Sequence, residues 1–132
     1  MRIKLLSIFV DDQEKALRFY TDVLGFRKKQ DFPIGGARWI TVVSADGPDD
    51  LELVLEPNGH PAASAYQSAL RKDGIAATAF ESMAIEGEVQ RLKERGVIFT
   101  MEPTVAGDVT LAIFSDTCGN LIQIYQPKTA TC

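Results

Sequence analysis

The feature that most constrains this 132-residue chain is an echo within itself. Phe9 and Phe80, Gly25 and Gly96, Ser44 and Ser115, and Glu52 and Gln123 all stand 71 positions apart. The apolar pairs Ile40/Leu111, Val42/Ile113, Leu51/Ile122 and Leu53/Ile124 keep the same offset. A spacing held through strand-like, helix-like and turn-like stretches implies a duplicated supersecondary unit, because each copy has to satisfy the same packing demands.

Local patterns give that unit its order. Residues 3–10 are apolar and rich in β-formers, so they read as a strand. Asp11 and Asp12 then supply N-cap chemistry. Ala16, Leu17, Phe19, Tyr20, Val23 and Leu24 follow at helical spacing, and Gly25 closes the helix. Three strands are expected near 26–32, 37–45 and 50–56, separated by Pro33-Ile34-Gly35-Gly36 and Asp46-Gly47-Pro48. The second unit repeats the order: a strand over 75–81, a helix through Ile85, Val89 and Leu92 to Gly96, and strands near 97–101, 108–115 and 120–126. Between them His60-Pro61 opens a linker helix over about 60–73. The expectation is one α+β domain of two βαβββ modules, about 1–57 and 74–127. They would form a curved mixed sheet with a concave cleft and helices on the outer face.

Charge and length remove several function classes. Net charge is −4 with no Lys/Arg block, which argues against nucleic acid. The apolar stretches are strand-sized, too short to span a membrane. Met1 to Lys4 leads straight into a strand without the apolar core of a signal peptide, so a cytoplasmic location is expected. Cys118 sits in a turn and Cys132 ends the chain, and both read as free thiols of a reducing compartment.

Strand alternation divides the side chains between two faces. Leu6, Ile8, Val10, Leu51, Leu53, Leu55, Leu111, Ile113, Ile122 and Ile124 read as the helix side. The other face combines aromatic and polar groups, as a small-molecule pocket requires: Ser7, Phe9, Trp39, Thr41, Glu52, Glu56, Thr78, Phe80, Phe114, Gln123 and Tyr125.

Three stretches carry a family resemblance. Val10-Asp11-Asp12 with Ala16 to Phe26 resembles the opening signature of the vicinal oxygen chelate (glyoxalase/bleomycin resistance protein/dioxygenase) superfamily. Phe114 to Ile124 is similar to its closing strand–turn–strand, and Glu88 to Val97 to its second-module helix. The resemblance implies a divalent metal (Mg, Mn, Fe, Ni or Zn) held by side chains of the first and last strands of each module. The matching positions are Leu5, Glu52, Ala76 and Gln123. Leu and Ala carry no donor atom, which leaves one carboxylate and one amide oxygen. A tight site for Zn, Ni or Fe wants at least three donors. His60 is a remote third ligand, and Glu52 with Gln123 alone would suit at most weakly held Mg or Mn.

Three functions follow as expectations. The first is a metal-free protein that sequesters a drug or metabolite, with a cationic or aromatic ligand suited to an acidic, aromatic cleft. The second is a metal-dependent lyase, isomerase or dioxygenase-like enzyme with Glu52 as ligand or general base. The third is a structural subunit whose cleft is filled by packing. The resemblance also implies a homodimer.

Overall fold

The structure is a computed structural model and describes residues 1–128. Its elements run β1 (Leu5–Val10), α1 (Gln13–Arg18), β2 (Arg27–Ile34), β3 (Ala37–Val43), β4 (Glu52–Pro57), α2 (Pro61–Lys72), β5 (Thr78–Glu81), α3 (Ile85–Glu94), β6 (Phe99–Ala106), β7 (Val109–Ser115) and β8 (Leu121–Pro127). The β-strands form two four-stranded mixed sheets, ordered β1-β4-β3-β2 and β5-β8-β7-β6. In each sheet the first strand of the module runs parallel to the last, and the remaining pairs are antiparallel. This is the α+β fold of two βαβββ modules, built as two open sheets rather than one continuous sheet.

Sequence chemistry explains the helix boundaries. The Asp12 carboxylate accepts from the Lys15 amide at 3.0 Å, satisfying one of the free N–H groups at the start of α1. α1 then loosens into a π-helical turn, Phe19–Val23, where a single helix to Gly25 was expected. Gly25 ends it at φ +87°, a conformation that favours glycine. His60 caps α2, its Nδ1 accepting from the Ala62 amide at 3.0 Å.

Helices α1 and α3 carry their apolar stripes into one core shared by both sheets. Ile8, Val10, Ile40, Val42 and Leu55 come from the first sheet; Ala112, Phe114, Ile122 and Ile124 come from the second. Aromatic rings stitch the modules together: Phe19 lies 6.3 Å from Phe114, and Phe26 meets Phe80 edge-on at 5.1 Å.

This core corrects part of the face assignment. Phe114 is 1% exposed inside the core, so it cannot line a ligand cleft. Phe80 packs against the same core, and Thr78 shares its face of β5. Leu111 and Ile113, expected on the helix side, lie on the opposite face because Ala112 and Phe114 point inward. The cause is parity. An offset of 71 suits β4 and β8, whose inward sets are Leu53, Leu55 and Ile122, Ile124. Between β3 and β7 the inward residues are Ile40, Val42 and Ala112, Phe114, a difference that is even. A one-residue slip exchanges the two faces of a strand. Leu6 and Leu51 are on the expected side, but the core stops short of them and both are exposed.

Candidate functional site

Outside the core the first sheet offers a mixed face. Thr41 and Val54 form its buried floor, with Ser7, Phe9, Trp39, Glu52 and Glu56 standing around them, half-buried or exposed. Pairing fixes this arrangement, since Thr41 sits opposite Val54, and Phe9 opposite Glu56. The Trp39 ring stacks on Phe32 at 6.5 Å, and its indole N–H donates to Gln30 Oε1 at 2.6 Å. Glu52 Oε1 accepts from the Thr41 hydroxyl at 2.7 Å. Neither Glu52 nor Glu56 forms an ion pair among the described residues, so the face keeps its negative charge.

Gln123 and Tyr125 occupy the corresponding face of the second sheet. The site residues expected together therefore divide into two groups on separate sheets. Ser7, Phe9, Trp39, Thr41, Glu52 and Glu56 share one face, and Gln123 and Tyr125 another.

A hollow lies between the modules, on the helix side of both sheets. It holds about 970 Å³ and is lined by Leu6, Phe26, Leu53, Phe80, Met83 and Arg91, among others. Glu88 and Arg91 of α3 also border it and pair with each other at 3.0 Å. No local pattern announces this groove, because its lining residues come from both modules and meet only in the folded chain. Of the residues expected to line a cleft, Glu52, Thr78 and Phe80 border it.

The metal positions can be tested by register. Leu5 lies opposite Glu52 in the parallel pair β1/β4. In β5/β8 the residue opposite Gln123 is Ala79 rather than Ala76, which precedes the strand. Neither Leu5 nor Ala79 has a donor, and the His60 Nδ1 is committed to capping α2. Among the described residues no three His, Cys, Asp or Glu side chains gather as a metal would need. The residues present do not fit the family's metal site.

A buried polar hub missed by sequence reading joins the modules. Asp116, wholly buried, accepts from the Tyr20 hydroxyl at 2.7 Å, from the Cys118 and Asn120 amides, and from Asn120 Nδ2. Gln67 of α2 donates to the Phe9 and Cys118 carbonyls at 3.0 and 3.1 Å, and accepts from Asn58 at 2.7 Å. Burial, reinforced by the neighbouring Asp116, pushes the Tyr20 phenol well above its ordinary value. The same two causes push the Cys118 thiol up to about 12, so it is not a nucleophile. Only the turn composition of residues 116–120 hinted at this hub. Cys132 lies outside the described residues.

The chain belongs to the Glyoxalase/Bleomycin resistance protein/Dioxygenase superfamily, whose model matches residues 2–124. It is 58% identical to Uncharacterized protein YurT of Bacillus subtilis (strain 168), over 96% of this chain and 99% of that one. Among solved structures it resembles UcmS2 with a TM-score of 0.82 and 32% identity, covering 95% of this chain and 97% of that one. It also resembles TnmS3, an antibiotic binding protein from Streptomyces sp. CB03234, with a TM-score of 0.75 and 28% identity over 97% of each chain.

Proposed function

We propose that the protein is a metal-free member of its superfamily that binds and sequesters a small molecule, a drug or metabolite, on the aromatic, acidic face around Trp39. The observation that carries this reading is the composition of that face. A stacked indole stands beside two carboxylates without ion-pair partners, over a buried floor, while the metal positions hold Leu5 and Ala79. Rings and carboxylates both attract positive charge, so the ligand is a planar, cationic aromatic. The likeness to TnmS3, an antibiotic binding protein, supports the same reading.

The cleft is completed by a second copy of the chain. Gln123 and Tyr125 lie on the outward face of the other sheet, and a second copy of the chain would bring them to Trp39. The edge strands β1 and β5 lack a second partner among the described residues, and Ile3, Leu5, Leu6 and Ile75 beside them are exposed. Those apolar residues and open edges suit a homodimer in which the outward faces of unlike sheets meet. The free thiol of Cys118 agrees with a cytoplasmic setting.

A second reading has one observation in its favour. Glu52 uses Oε1 to hold the Thr41 hydroxyl and leaves its other oxygen available, as a general base or a single metal ligand would. In that reading the protein is a divalent-metal-dependent lyase, isomerase or dioxygenase-like enzyme.

Trp39 is the chain's one tryptophan, which makes the test direct. Titration with an acridinium dye should quench its fluorescence, and Glu52→Gln with Glu56→Gln should weaken binding about tenfold by calorimetry. Sedimentation should report a dimer, and added Mg, Mn, Fe, Ni or Zn should leave the melting temperature unchanged. A stoichiometric metal in protein purified without chelator or affinity metal would sink the metal-free reading and favour the enzyme.

A further inference from the structure

The outward face of the second sheet holds a hollow of different chemistry from the face around Trp39. It encloses about 560 Å³ between the end of α2 and strands β6, β7 and β8. Its lining is Arg71, Lys72, Gly74, Thr100, Met101, Ile113 and Leu121. Met101 faces Ile113 across the β6/β7 pair, and Ile113 faces Gln123 across β7/β8, so these side chains share one surface. Three apolar residues make the wall, and two cations with one hydroxyl make the rim.

The two cations are uncommitted. Arg71 and Lys72 form no ion pair among the described residues, and no acidic side chain lines the hollow. Among the described residues the Arg71 guanidinium hydrogen-bonds only from Nη1, to Ser115 Oγ and the Asn120 carbonyl, each at 3.4 Å. Such long contacts steer the group toward β7 and β8 while leaving its other N–H donors free. A cation at the last turn of a helix is favourable in itself, which explains a basic residue at this place. It does not explain why an apolar wall of this size stands beside two unneutralised charges, with no carboxylate among the described residues to answer them.

We infer that this hollow is a binding site for a small organic anion, an aromatic or branched carboxylate whose body packs on Met101, Ile113 and Leu121 while its carboxylate meets Arg71 and Lys72. An Arg fork receives a carboxylate through two parallel N–H bonds, a geometry an ammonium cannot reproduce. The volume falls in the range of ordinary ligand sites. The site forms within one chain and does not rest on the dimer or on the cationic ligand proposed above. In a dimer of the kind described, it would place an anion-binding half beside a cation-binding half.

Naphthalene-2-carboxylate is the probe, and its uncharged carboxamide is the control. In methyl-labelled full-length protein, the carboxylate should shift the Met101 and Ile113 methyl signals and leave Met83, in the intermodule groove, in place. The carboxamide should bind about tenfold more weakly. Arg71→Ala with Lys72→Ala should weaken carboxylate binding by about the same factor or more. Both residues are exposed, so an unchanged melting temperature will certify the fold. Arg71→Lys should recover only part of the affinity. Equal affinity for carboxylate and carboxamide, no response to the carboxylate at millimolar concentration, or shifts confined to Met83 would each overturn the assignment.

Discussion

The third and fourth strands of each module are joined by a turn, and the two turns have opposite characters. In the first module Ser44 to Leu51 is exposed throughout. It is tied down by peripheral contacts, the Lys4–Asp50 ion pair and a bond from Lys29 to the Asp49 carbonyl. In the second module the corresponding stretch contains Asp116, Cys118 and Asn120, all buried, with Thr117 and Gly119 at positive φ. The first turn faces water and its polar groups are satisfied there. The second is pressed between α2 and the first module, so its buried side-chain N and O atoms must find partners, and among the described residues each does. Duplicated units thus diverge where the other module covers one of them. The covered copy becomes an anchor, and the uncovered copy stays free to vary.

Substitutions in the two turns will measure how different they are. The largest effect is expected from Asp116→Ala, which orphans the Tyr20 hydroxyl and the amide groups that converge on the carboxylate. Urea unfolding should show a loss of about 3–5 kcal/mol. Gly119→Ala comes next. Gly119 has φ +101°, and a Cβ there would lie 2.7 Å from Gln67 Nε2, so strain and a displaced buried amide add to about 2–3 kcal/mol. Gly47→Ala in the exposed turn meets only Ser44 and has no positive φ, and should cost less than about 1 kcal/mol. If the two glycine variants unfold at the same urea concentration, the contrast between the turns is wrong.

Alkaline titration probes the anchor without mutation. The folded state holds the Cys118 thiol up to about 12, above its ordinary 9.0, and so favours the neutral form. Above pH 9 the unfolded chain ionises first, so the thiol's contribution is fully present below that pH and is lost as pH rises toward 12. Tyr20, raised in the same sense from 10.0, adds to the decline. Cys118→Ala should flatten the part of the stability curve that begins near pH 9. The smallest effect belongs to Asp50→Ala, which should leave the urea midpoint unmoved, because an exposed ion pair is screened by solvent.

How much of the candidate site could be read in advance follows the same division. Glu52, Trp39, Thr41 and Glu56 were legible because strict alternation along β3 and β4 fixes their common face once Ile40, Val42, Leu53 and Leu55 are recognised as core. Phe80 and Phe114 were misplaced because aromatic residues suit a cleft and a core equally, and only parity tells them apart. Arg71 is an ordinary helix-end cation until the apolar wall beside it is seen.

Taken alone, the sequence determined the duplicated βαβββ order, the helix starts at Asp12 and His60, and the stops at Gly25 and Gly96. These depend on residue type and short-range spacing, which the chain carries wherever it folds. The tertiary structure decided which strand faces kept the repeat's phase, which turn was buried, and where hollows opened. Those outcomes depend on how two sheets, their helices and a linker helix settle against one another. A packing of that kind is set by the summed burial of residues distant in sequence, and no local pattern records it.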